Sequence, residues 1–598
     1  MDKKESSLTQ ITGISSKIED ERNMNVDWSK ENTVVVHTIS DPDNLHPTNG
    51  NSAPRSEIML LTQRSILYTD FENQTMIAGL VMKSPQAMPD GLTYIYELKS
   101  GPTWDDNSPF TFDDVLFTAK AYACPLVNDP AVKTYWRNLK NIIPDEKNPK
   151  MFTVIMKSKN IQNGFWFGSF PVLQRKFHDP KNILAKFSIT QFNDTSFHPN
   201  GEAELKSWAA EYNSDKFGRD PKYLNGLGMY KVEKWESGQF ITLLKKKNHW
   251  TEKSTDYHEF SYPDKIIYKL NKDDNSQQLE FKNQAFDVTN NISMSSFLAL
   301  NENVFFKNNY SSFISPTYNY TYIALNQRPQ EANRKLLFIN NETRRAIALS
   351  IPIEKITKLI YAQYSNQCHQ MISNVSPLKK EFNNDLKALK VDLKAAVRLL
   401  NDSKWTDTDN DGILDRVING NKINFEADLN YLNTSPDWRD MAMLISEELK
   451  KIGIKINPVP MELKLFIERA KSHDYDMMLG SWAASSFSED FTQLWHTSNW
   501  ANHGSNYSGF GNSTSDALID SIRTEIILSK RDSLSRVLQK LIYDDQPYVF
   551  LYTSMRRNII HKRFANRMIF ADRPGTLINP LRLLSINPVI TLQNGTTP

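Results

Sequence analysis

The feature that most constrains this chain is a change of period in its apolar residues, repeated along its length. Val34-Val35-Val36-His37-Thr38-Ile39 is strand-like, whereas Ile58 to Leu67 carries apolar residues at three- and four-residue steps, the mark of a helix. After Gly91 the pattern alternates again in Leu92-Thr93-Tyr94-Ile95-Tyr96-Glu97-Leu98. From about Pro316 strands such as Tyr320 to Leu325 are interspersed with helices over Asn341 to Leu349 and Asp392 to Leu400. Interleaved strand and helix patterns predict an α/β fold, because helices must cover the sheet they alternate with. At 598 residues the chain is expected to form two or three domains, each with its own core.

Local chemistry fixes several elements. Thr111 followed three residues later by Asp114 is a capping-box arrangement ahead of an amphipathic helix. Gly226 to Trp235 and Phe240 to Lys245, joined through Gly238, read as a hairpin. The polar stretch between about Lys176 and Tyr223 reads as long surface connections. The longest apolar run, Tyr548 to Tyr552, is strand-sized, far short of the ~20 residues that cross a bilayer. Lys+Arg 71 against Asp+Glu 69 leaves a net charge of +2, and no basic tract is dense enough to neutralise a row of phosphates, so nucleic acid is not expected as a partner.

Signals for catalysis are missing from the sequence. His258-Glu259 lacks the second histidine of a helical zinc pair, no phosphate-binding Gly-Lys-Ser/Thr loop occurs, and Gly504 to Gly509 does not form a nucleophile elbow. Cys124 and Cys368 are far apart and read as buried thiols; adjacent Cys368-His369 lacks ligand spacing. Residues 1–30 are polar and read as a flexible tether. Two readings of Met1 stay open: it stands where a lipid-bearing Cys would anchor the chain to a membrane, or it is a native cytoplasmic start.

The sharpest local motif is Asp407-Thr408-Asp409-Asn410-Asp411-Gly412-Ile413-Leu414-Asp415. Aspartates at the first, third, fifth and ninth positions with Gly at the sixth match the start of an EF-hand-type calcium loop, and Ile413 stands where a backbone carbonyl would ligate. The twelfth position is Ile418 rather than Glu, so structural calcium and a solvated Asp/Asn turn are both open.

Taken in order, the segment Gly101-Pro102-Thr103-Trp104-Asp105-Asp106-Asn107-Ser108-Pro109-Phe110-Thr111-Phe112-Asp113-Asp114-Val115, the Gly226 hairpin, the Arg344-Arg345-Ala346-Ile347-Ala348 helix and Ala395-Ala396-Val397-Arg398-Leu399-Leu400 resemble the family-5 extracellular solute-binding proteins of the oligopeptide-, dipeptide- and nickel-binding type. Asn107 replaces the usual glycine of the turn. The resemblance implies a bilobed, class II periplasmic-binding-protein-like fold with an extra domain: domain I over 31–60, 215–317 and 555–598, domain II over 61–214, and domain III over 318–554. It implies a monomeric receptor that binds a peptide or other small polar solute between two lobes, without a required cofactor, and delivers it to the permease of an ABC importer from the periplasm or cell envelope. A hydrolase acting on peptides or sugars and a sensory receptor are the alternative readings.

The same resemblance places the solute against Trp482, Ala483, Ala484 and Ser485, with Asn44 and Leu45 in a turn near the hinge. Peptide-binding members carry a carboxylate three residues after the Trp, where it holds the α-ammonium group of the solute; here that residue is Ser485. A neutral hydroxyl cannot supply the counter-charge, so Glu489 or Asp490 would have to replace it. Tyr318, Tyr320 and Tyr322 share one strand face by the period of two, and either line the solute site or pack across strands.

Overall fold

The computed structural model describes residues 15–18, 31–50, 52–128, 136–329, 335–418, 420–434 and 436–584. Two units emerge, 1–158 with 163–315 and 556–598, and 159–162 with 316–555. Both late boundaries fall inside long strands, Tyr310–Leu325 and Tyr548–His561.

In the first unit Thr33–Thr38 lies parallel to Lys265–Leu270, with Val34 opposite Ile266. Phe240–Lys245 and Tyr230–Glu236 continue the sheet as an antiparallel hairpin, turned at Gly238 with φ +76°. Val288–Thr289 extends the other edge and pairs with Ile559 and Ile560. Val34, Val36, Ile241, Leu243, Ile266 and Tyr268 form the core of this sheet. The helix Ala53–Thr62 packs here through Ile58 and Leu61. It stops at Thr62, earlier than the expected Leu67, because the Gly228 N–H takes the Thr62 carbonyl at 3.0 Å and Leu67 starts the strand Leu67–Asp70. Both glycines of the Gly226-Leu227-Gly228 turn are required by this close approach. A Cβ on Gly226 would sit 2.2 Å from the Thr62 carbonyl oxygen, and one on Gly228 would sit 2.3 Å from that of Leu61.

A three-stranded antiparallel sheet, Thr93–Glu97, Met151–Met156 and Leu139–Pro144, builds a second core in the same unit around Tyr96, Trp104, Trp136 and Phe152. Its helix Phe112–Ala123 starts as the sequence predicts: the Thr111 N–H donates to Asp114 Oδ2 at 3.0 Å. The same carboxylate accepts from the Trp104 indole at 3.1 Å and from the Arg175 N–H at 2.8 Å, so one buried aspartate ties the turn, the helix and a distant segment together. Asn107 has φ +62°, the left-handed conformation that glycine would adopt there and that Asn tolerates best among residues with a side chain. The region from Lys176 to Tyr223 is not surface connection. Short helices including Arg175–His178, Ile189–Phe192 and Ala203–Tyr212 bury Phe187, Phe192, Leu205, Trp208 and Tyr212 in a further core. Most of these helices are only three or four residues long, too short to show a helical period. Within the stretch read as a tether, Ser15–Ile18 pairs antiparallel with Arg567–Phe570; most of 1–30 lies outside the described residues.

The second unit has the sheet order Lys455–Met461, Glu426–Leu432, Met477–Trp482, Tyr310–Leu325, Tyr548–His561. The first three strands are parallel and the fourth is antiparallel to the third, so the α/β class expected from the sequence is observed. Helices Asn341–Ser350 and Leu393–Asp402 stand where the periodicity puts them. Asp392 caps the latter by accepting the Ala395 N–H at 2.9 Å.

Candidate functional site

One face of the second unit's sheet is paved with aromatic rings. Tyr320 lies opposite Trp482 and Tyr322 opposite Gly480 in the antiparallel register, which puts these side chains on one face. Tyr322 stacks on Tyr548 at 4.2 Å between ring centroids, with 7° between the planes, and on Trp482 at 6.1 Å and 12°. Trp482 in turn stacks on Tyr507 at 5.4 Å. Gly480 makes the stack possible, since a Cβ there would meet the Tyr322 hydroxyl oxygen at 2.9 Å. Tyr318, Tyr320 and Tyr322 are all buried, and Tyr320 and Tyr322 pack across strands in the core of this unit. Burial drives the Tyr320 and Tyr322 hydroxyls far above their ordinary pKa.

The chain leaves this face at Trp482, which is half-buried, and becomes accessible: Ala483 and Ser485 are exposed, while Ala484 donates its N–H to Asn319 Oδ1 at 3.0 Å. The Ser485 hydroxyl has no hydrogen-bond partner among the described residues. Of the two acids that would replace a carboxylate at 485, Glu489 is paired with a cation and Asp490 holds one backbone N–H. Glu489 accepts from Lys379 Nζ at 2.7 Å, and Asp490 Oδ1 accepts the Thr492 N–H at 2.9 Å. Lys379, whose side chain is only 1% exposed, also donates to the Phe487 carbonyl at 2.9 Å.

Sequence reasoning missed this polar layer. Beside the Lys379–Glu489 pair lies Glu381, whose carboxyl is pushed up by burial against the opposing pull of Lys379, a hydrogen bond from Ser488, and Arg531; Glu489 adds to the rise. Arg531 donates to Ser488 Oγ at 3.0 Å. Asn374 and Asn430 are buried with neither amide atom hydrogen-bonded to protein among the described residues. Asn430 stands opposite Met478 and Val459 in register, on the same face as the aromatic stack. Unused amides in a wall of rings are sites where a polar molecule can be held without competing protein groups. Segment 371–383 supplies Asn374, Lys379 and Glu381 without regular structure over most of its length, and so without periodicity to mark them.

Of the other residues singled out in the sequence, Leu45 belongs to the core of the first unit and donates its N–H to the Gly218 carbonyl at 2.8 Å. Asn44 is half-buried and its Oδ1 accepts the His46 N–H at 2.8 Å. In the acidic loop, carboxylate oxygens of Asp407, Asp409 and Asp415 lie within 4.8 Å of one another. Asp411 is outside that group, its Oδ1 accepting the Ile413 N–H at 2.8 Å. Lys422 Nζ lies 2.7 Å from Asp409 Oδ2 and 3.3 Å from Asp415 Oδ2, which partly neutralises the cluster. Its hydrogen bond holds Asp409 below the usual carboxylate range, and the Thr408 N–H does the same for Asp415.

Comparisons with known proteins name the kind of chain this is. The sequence profile of the bacterial extracellular solute-binding proteins, family 5 (middle) matches residues 76–504. The chain belongs to this family. It is 25% identical over 530 residues to the oligopeptide-binding protein AppA of Bacillus subtilis (strain 168), covering 87% of this chain and 86% of that one. The solved structure of the oligopeptide-binding protein AppA from Bacillus subtilis in complex with a nonapeptide superimposes with a TM-score of 0.68 at 22% identity, over 92% of this chain and 99% of that one. NikZ from Campylobacter jejuni in complex with Ni(L-His) gives 0.67 at 18% identity, over 90% and 95%.

Proposed function

We propose that the protein is the extracytoplasmic receptor of an ABC importer, binding a peptide or other small polar solute and passing it unchanged to the permease. The observation that carries this reading is the similarity to an oligopeptide-binding protein along 87% of the chain. The rim formed by Trp482, Ala483 and Ser485 supports it, offering an aromatic edge and an accessible, unbonded hydroxyl. Tyr320 and Tyr322 support the rim from beneath, Ala484 fixes it through Asn319, and Asn44 is the residue of the 44–45 turn with a side chain left partly accessible. Ser485 narrows the solute class. Glu489 is paired with Lys379 and position 485 is neutral, so Asp490, whose Oδ1 accepts only the Thr492 N–H among the described residues, is the carboxylate of this segment left for an α-ammonium group, and solutes with a neutral or blocked amino end suit the Ser485 position itself best. A dye-based thermal-shift screen of dipeptides, longer peptides, their N-acetylated forms and nickel complexes tests the reading, because a ligand that binds only the folded state raises the midpoint. No shift with any of them, or product formed from one of them, refutes it.

Membership of an extracellular solute-binding family supports a periplasmic or cell-envelope location, with attachment through an N-terminal lipid as part of the proposal; intact-mass measurement of the native protein reads the lipid directly. A structural calcium ion at Asp407, Asp409 and Asp415 is a second reading, favoured by the convergence of their carboxylates, with Asp411 and the Ile413 carbonyl completing the loop. It requires Lys422 to leave Asp409. Differential scanning calorimetry with calcium and then with chelator tests it, and an unchanged midpoint removes it.

A further inference from the structure

The first unit contains a feature that solute binding on the second unit does not use. A groove of about 800 Å³ is lined by six lysines, from four separate stretches of chain, against two aspartates. Both aspartates are occupied. Asp105 pairs with Lys246 at 2.5 Å, and Asp106 Oδ1 accepts from the Ser108 N–H at 3.0 Å, the Ser108 hydroxyl at 2.6 Å and the Gln174 amide at 3.1 Å. Lys246 is held rigidly, since it also donates to the Gly226 carbonyl at 2.6 Å, and Lys245 donates to the Ser261 carbonyl at 2.7 Å. Lys176, Lys222, Lys231 and Lys247 are different. All four are exposed, and none lies within 4.0 Å of a carboxylate among the described residues.

Exposed ammonium groups lining one concavity give it a positive potential that draws in multiply charged anions. Lysine is a compact point charge suited to phosphate oxygens, and the walls add neutral amides from Asn107, Asn225 and Asn248. The volume falls in the range of sites for small organic molecules and exceeds what a single inorganic phosphate needs. We propose that this groove is a second binding site, for a multiply charged anion carrying phosphate groups. The phosphates belong either to a free oligophosphate or to the headgroup of an anionic lipid, and the two sources are separable by experiment.

The test uses the full chain and two probes: inorganic tripolyphosphate in isothermal titration calorimetry, and phosphatidylglycerol vesicles in co-sedimentation, with phosphatidylcholine vesicles as the blank. The variant Lys222→Gln/Lys231→Gln removes two charges from the groove, and Lys140→Gln/Lys147→Gln removes two exposed charges that do not line it. Binding of either probe that weakens by roughly tenfold or more in the groove variant but not in the control supports the proposal, and the probe that binds identifies the source. Binding of neither probe, or equal weakening in both variants, overturns it. Unfolding midpoints of both variants are compared with that of the parent, and Lys176→Gln/Lys247→Gln replaces the groove variant if the first pair does not fold.

Discussion

Glu489→Gln isolates the claim that this acid belongs to the architecture and not to the solute. The substitution keeps shape and an amide oxygen that can accept from Lys379, but it removes the charge that Lys379 faces at 2.7 Å, leaving a side chain 1% exposed with the Phe487 carbonyl, that amide and the neighbouring Glu381 around it. Removing one partner of a buried pair costs about 3–5 kcal/mol, because the other charge stays desolvated, whereas replacing both by neutral groups is often close to neutral. Glu489 keeps a side-chain exposure of 23% and Glu381 still faces Lys379, so screening and the second carboxyl put the loss below that range, about 2 kcal/mol. Lys379→Met alone is expected to cost less, since Glu489 can turn to water, and the double substitution is expected to recover most of the loss. Urea denaturation of the four proteins gives the coupling energy directly. If Glu489→Gln costs less than about 1 kcal/mol and instead abolishes solute binding, the assignment of Glu489 to Lys379 is wrong and the acid serves the solute.

Three further outcomes follow from the geometry. Ser485→Asp supplies the carboxylate that this position lacks, and is expected to tighten a peptide with a free amino end by roughly tenfold while leaving its N-acetylated form unchanged in calorimetric titration; equal effects on both contradict the placement of Ser485. Gly228→Ala drives a Cβ to 2.3 Å from a backbone carbonyl oxygen and is expected to destabilise by about 1–3 kcal/mol, read as a lower urea midpoint; an unchanged midpoint shows that the helix end can move aside. Burial lowers His46 to about 4 and His178 and His561 to about 3, so all three stay neutral in the folded chain where an unfolded chain, with pKa near 6.5, takes up protons. Stability is therefore retained above pH ~6.5 and falls as the pH drops below it, by about 1.4 kcal/mol per unit for each such group; equal urea midpoints at pH 7 and pH 5 refute this.

What the sequence disclosed and what it concealed divide along physical lines. Elements with a local signal were legible: the Thr111 and Asp114 start of Phe112–Ala123, the hairpin around Gly238, the helix capped by Asp392, and the shared face of Tyr318, Tyr320 and Tyr322, which follows from a period of two; the register that adds Trp482 to it is tertiary. Elements whose cause is tertiary were not. Ala53–Thr62 ends where Gly228 takes its last carbonyl, from 166 positions away. Leu205, Trp208, Ala209 and Tyr212 do follow helical spacing on Ala203–Tyr212, but the three- and four-residue helices around them leave no period, so the stretch as a whole read as surface. The polar layer of Lys379, Glu381 and Asn374 lies more than 100 residues from the loop it braces, and nothing local distinguishes a buried lysine from an exposed one. The groove lysines were each visible, but their convergence from four stretches was not.

The central claim, reversible binding of an intact small polar solute, is tested most directly by isothermal titration calorimetry with a peptide panel that spans dipeptides to nonapeptides, followed by mass spectrometry of the recovered ligand. The account predicts saturable binding of one molecule per chain, weakened by removal of the Trp482 ring, with the ligand recovered unchanged. A ligand recovered cleaved, or binding that Trp482→Ala leaves untouched, would contradict it.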